Sequence, residues 1–76
     1  MNMTTENTSE NQTSLLRLRD VEARVGFKKT TIYRLMKKRQ FPLPIHPVGS
    51  KISAWVSAEI DDWIKEQIGN HREQRL

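Results

Sequence analysis

A small, mostly α fold of three helices with a two-stranded β-hairpin is expected from three features of the 76-residue sequence. Apolar residues recur at helical spacing in three segments. A Gly-containing link of only three residues joins the first two of them. A proline-rich stretch ahead of the third is incompatible with helix.

The lead-in, Leu15, Leu16 and Leu18, reads as a short extended segment. In "DVEARVGF", Val21 and Val25 lie one helical turn apart, and Asp20 and Glu22 come early, where acids suit the helix dipole. Gly26 supplies the left-handed residue that ends many helices, so a two-turn helix is predicted over 19–25. After Gly26-Phe27-Lys28 comes "KTTIYRLMKKR", with Ile32, Leu35 and Met36 at i, i+3 and i+4 as its buried stripe. Thr30, Tyr33, Arg34 and Lys37 fall on the opposite face. Two helices around so short a turn have the outline of a helix-turn-helix.

Pro42, Pro44 and Pro47 punctuate the next segment. A turn at Gly49-Ser50 between Ile45/Val48 and Ile52/Ala54/Val56 predicts a small hairpin, a wing, with Lys51 just past its tip. An isolated hairpin is marginal in water and must lean on the helices. The last helix is expected to start at Ser57 as N-cap and stop at Gly69, with Ile60, Trp63, Ile64 and Ile68 on one face. Trp55, Trp63 and Phe27 are assigned to the core, the tryptophans as its largest members.

The domain is thereby placed at residues 15–69. Residues 1–14 form a polar arm too poor in apolar side chains to order itself, and 70–76 a frayed tail. The arm lacks the basic start and apolar core of a signal peptide. No apolar run approaches the roughly 20 residues of a membrane span, so a cytoplasmic protein with no membrane partner is expected. Cysteine is absent, which removes disulfides and zinc fingers as supports.

Charge is distributed unevenly. Residues 15–56 carry ten bases against Asp20 and Glu22, and no carboxylate occurs between Glu22 and Glu59. "GFKKTTIYRLMKKRQFP" holds six basic side chains and no acid. Solvated helices usually mix signs, because like charges at i,i+4 repel. Here Arg34 meets Lys37 and Lys38 with no acid beside them, a repulsion that an anionic partner relieves.

Enzymatic chemistry finds no footing. His46 and His71 have no Cys or carboxylate at ligand spacing, the three glycines form no phosphate loop, and no triad can be assembled. Asp61-Asp62 reads as helix-dipole chemistry. No enzyme activity, metal or cofactor is expected. Against a merely solvated basic face stands duplex DNA. Lys28, Lys29, Thr30 and Thr31 would then sit at the helix end that enters the major groove. Arg34 has the fork that reads guanine, and Lys37, Lys38 and Arg39 grip backbone. Tyr33 fits either a half-buried ring with a wet hydroxyl or a phosphate contact. Lys51 fits either solvent or a second DNA contact.

The stretch from Leu15 to Ile64 resembles the AlpA family of phage and prophage regulators, relatives of the MerR-like winged helix-turn-helix group. The resemblance is carried by "TTIYRLMKKRQFPLP" and "AWVSAEIDDWI". It implies a recognition helix containing Lys29, Thr30, Thr31, Tyr33 and Arg34, and a basic wing residue at Lys51. Two positions depart from the family pattern: Lys28 replaces a capping Ser, and Lys51 replaces an Arg whose forked contact a lysine does not reproduce. A transcriptional regulator of a mobile element is implied, or alternatively an excisionase working beside an integrase. A reading of another class is an adaptor whose basic face meets an acidic protein. So small a domain covers few base pairs, so a homodimer or cooperative binding on repeated sites is expected.

Overall fold

The computed structural model describes residues 13–74. Its elements run β1 (Leu15–Leu16), α1 (Leu18–Val25), α2 (Lys29–Lys37), a 3-10 turn (Pro47–Gly49), β2 (Trp55–Val56) and α3 (Ser57–Gln74). The fold is a small winged helix-turn-helix. Most of the polar arm expected over 1–14 lies outside the described residues, as do residues 75–76.

Helix α1 begins where the Asp20 carboxylate accepts the Arg17 amide at 3.1 Å. It ends at Gly26, whose φ of 82° turns the chain and lets its amide donate to the Glu22 carbonyl. Gly26, Phe27 and Lys28 are the entire link to α2. That helix starts without a side-chain cap, since Lys28 offers no acceptor. It closes two residues sooner than the helical pattern predicts. Arg39 adopts φ 61°, the Arg39 amide donates to Met36 at 3.0 Å, and the Gln40 amide donates to Leu35 at 2.9 Å. These two bonds are the paired closure of a Schellman motif, with an arginine where glycine is usual.

The regular ladder is not within the wing. β1 pairs antiparallel with β2, Leu15 opposite Val56 and Leu16 opposite Trp55. Ser14 and Ser57 extend it: the Ser57 amide donates to the Ser14 carbonyl at 2.8 Å, and the Ser57 hydroxyl accepts the Ser14 amide at 2.9 Å. Ser57 is thus engaged with the lead-in. The wing is closed by one bridge, Ile45 to Ala54, with bonds of 2.7 and 2.9 Å. Pro44 and Pro47 lack the N–H groups that would carry a ladder further. The turn falls at Pro47–Gly49, ahead of the expected Gly49-Ser50.

Val21, Ile32, Trp55 and Ile60 are fully buried at the centre, with Leu16, Phe41 and Ala54 around them. Leu35, Met36, Trp63 and Ile64 pack against this cluster. Two assignments need correction. Phe27 is 40% exposed and forms a T-shaped pair with Trp63, centroids 6.4 Å apart; the buried phenylalanine is Phe41, 4.7 Å from Trp63. Ile68 is 49% exposed because α3 continues past the end of the core. That helix runs through Gly69, the expected stop, to Gln74. A glycine ends a helix only when its left-handed option is used, and Gly69 does not use it.

Candidate nucleic-acid interface

The second helix is oriented by what its inner stripe buries. Ile32 is enclosed, Leu35 and Met36 pack partly inward, and the 3.6-residue repeat therefore turns Thr30, Tyr33, Arg34 and Lys37 outward. All four are exposed, as are Lys28, Lys29 and Lys38. Thr31 is half-buried. Tyr33 is 40% exposed. Thr30, Tyr33, Arg34, Met36 and Lys37 line a shallow hollow, and Leu43 from the root of the wing completes it. The basic face and the wing therefore meet at this hollow.

Two tryptophans fix the segment that links them. The Trp63 indole N–H donates to the Gln40 carbonyl at 2.9 Å. The Trp55 indole N–H donates to the Pro42 carbonyl at 3.0 Å. With Phe41 buried between these anchor points, the exit from α2 is held at three successive residues. Leu43 was not recognisable in the sequence as part of the face, although the Pro-Leu-Pro context already predicts extended backbone there.

Electrostatically the face is unpartnered. Among the described residues the one ion pair is Arg24 with Asp61, 2.6 Å apart, joining α1 to α3. None of Lys28, Lys29, Arg34, Lys37, Lys38 or Lys51 meets a carboxylate there. Arg34 and Lys37 lie in the last turn of α2, where cations suit the dipole, whereas Lys28 and Lys29 oppose it at the first. Lys51 is exposed at a bend beyond the 3-10 turn. Arg39 stands apart from the others. Arg39, whose backbone is left-handed, lines a different hollow, one that Arg24, Trp63 and His71 also border.

The residues present supply fork-shaped, ammonium and hydroxyl donors around an apolar hollow, a set suited to a polyanion with apolar sugar surfaces. Among the described residues no group of three His, Cys, Asp or Glu side chains is placed to hold a metal ion. No helix among them is long and apolar enough to cross a membrane.

Comparison with known proteins adds an independent line. The profile of a family described as "Prophage CP4-57 regulatory protein (AlpA)" matches residues 14–68. An uncharacterised protein, ORF88 of Enterobacteria phage P4, is 33% identical over 61 residues, covering 80% of this chain and 68% of that protein. No solved structure matches the chain.

Proposed function

This chain belongs to the AlpA family of prophage regulatory proteins, and from that premise we propose that it binds double-stranded DNA sequence-specifically and regulates transcription in a phage or mobile element. The observation that carries this reading is the outer face of α2: exposed, basic, free of carboxylate partners among the described residues, and adjoining the wing root. α2 lies in the major groove. Arg34 is the side chain for bidentate guanine contact, Thr30 and Thr31 serve thymine methyl or phosphate, and Tyr33 contacts phosphate. Lys28, Lys29, Lys37, Lys38 and Lys51 hold the backbone and fix the register. Arg39, off this face, grips backbone only where the duplex extends past the end of α2.

Titration of the protein with specific and random duplexes at two salt concentrations tests this. About 5–7 phosphate contacts give a log–log slope of roughly −4.5 to −6. Arg34→Ala relaxes discrimination by about 1–3 kcal/mol at one base pair, whereas Lys38→Ala weakens every sequence alike. An adaptor that binds an acidic protein through this face would show little salt-dependent affinity for either duplex.

A further inference from the structure

Phe27 and Ile68 are apolar side chains expected on the buried side that the structure leaves outside the core, 40% and 49% exposed. Both border one hollow, which α3 shares with the chain at the end of α2, and Trp63 forms part of its wall. The exposure of Ile68 has a simple cause. Along the apolar stripe of α3, Ile60 is buried, Trp63 and Ile64 are half-buried and Ile68 is exposed. The helix then continues to Gln74. Its inner face outruns the core that covers it, and an apolar face left uncovered marks a surface for a partner.

The charge beside this face has one sign on α3. Glu59, Asp62 and Glu66 line the same hollow. Their i, i+3 and i+7 spacing sets them in a row about 10 Å long. Among the described residues none of the three forms an ion pair, and Lys65 of the same helix meets none of them. Like charges so spaced repel, a cost that a cationic neighbour removes. Arg24 and Arg39 also border the hollow, but Arg24 is held by Asp61 at 2.6 Å, and Arg39 is paired with none of the three acids.

We infer that this hollow docks an amphipathic helix of another protein. Its apolar stripe lies on Phe27, Trp63 and Ile68, and Lys or Arg side chains along one edge stand beside Glu59, Asp62 and Glu66. A helix laid in a groove presents apolar anchors at i, i+3/i+4 and i+7, and bases at that same spacing match the row of acids. A DNA duplex is repelled by the row. A second copy of this chain is disfavoured too, because pairing the face with itself sets acids against acids. The surface is separate from the outer face of α2, so the inference stands independently of how that face meets DNA.

The test uses the isotope-labelled full chain and three synthetic helical peptides, each about 18 residues long with one leucine stripe. Their flanking edge carries Lys, Gln or Glu. The Lys-edged peptide is expected to bind and to move the amides of Phe27, Trp63, Glu66 and Ile68. The Gln-edged peptide binds the hollow about tenfold more weakly, and the Glu-edged peptide leaves those amides in place. Asp62→Lys combined with Glu66→Lys, both at exposed positions, inverts the order of preference. Ile68→Gln melts with the parent, since its side chain is outside the core, yet weakens the Lys-edged peptide about tenfold. Equal affinity for the three peptides, amide changes confined to α2, or an unchanged order in the double variant overturns the inference. So does sedimentation that shows a dimer abolished by Ile68→Gln, because a second copy then covers the face.

Discussion

Lys28, Arg39 and Gly69 each occupy a position that another residue would fill more favourably, and each has a different reason. Lys28 begins α2 without an acceptor for the free amides of its first turn. Lys28→Ser supplies one and should raise stability by about 1 kcal/mol in urea denaturation, while removing a cation from the proposed DNA face. Arg39 holds φ 61° in the closure of α2. Arg39→Gly should stabilise by roughly 0.5–1 kcal/mol and leave discrimination between duplexes intact, because the side chain is off the proposed recognition face. Gly69 lies in α3 with open space where a Cβ would stand, so Gly69→Ala should gain roughly 0.5–1 kcal/mol. Gly26, at φ 82°, should show the opposite sign: Gly26→Ala loses about 1 kcal/mol, although nothing would touch the added methyl. Thermal melts of the four variants check the set. Gly26 could be read correctly beforehand because a short link needs a left-handed residue. Gly69 could not, because a glycine permits a helix stop without imposing one.

The three helices follow from apolar spacing, and α1 and α2 lie within two residues of their expected ends. The sheet does not follow from it. Apolar alternation in "PIHPVGSKISAWV" is compatible with a hairpin, but the prolines withhold the donors, and Trp55–Val56 finds its partner in Leu15–Leu16 instead. Pairing over that separation is decided by packing of Leu16 and Trp55 into one core, which local pattern does not encode. The joint between α2 and the wing likewise depends on Trp55 and Trp63 donating to Pro42 and Gln40. Trp55→Phe should cost about 2–4 kcal/mol through lost volume and an unpaired carbonyl. Trp63→Phe should cost less, since that indole is only half-buried. By contrast Asp61→Asn, which opens the exposed bond to Arg24, should cost under about 1 kcal/mol and less still at high salt.

Taken together, the chain divides its charges between two sides. The basic side chains of α2 stand clear of carboxylates, while Glu59, Asp62 and Glu66 follow one flank of α3 along a separate hollow. This division could be read in the sequence as a run without acids from Glu22 to Glu59. What it could not supply was the junction of wing and helix at Leu43, because that depends on where Phe41 and the two indoles bury the intervening chain. The membership of the AlpA family agrees with a regulatory role, and the outer face of α2 is the surface proposed to carry it. Backbone amide shifts of the isotope-labelled protein, followed while a selected duplex is titrated in, locate the bound surface residue by residue. The largest changes are expected at Thr30, Tyr33, Arg34 and Lys37, with smaller ones along the wing from Leu43 to Lys51. Silence at those residues, with movement confined to the flank of α3 around Glu59, Asp62 and Glu66, would contradict it.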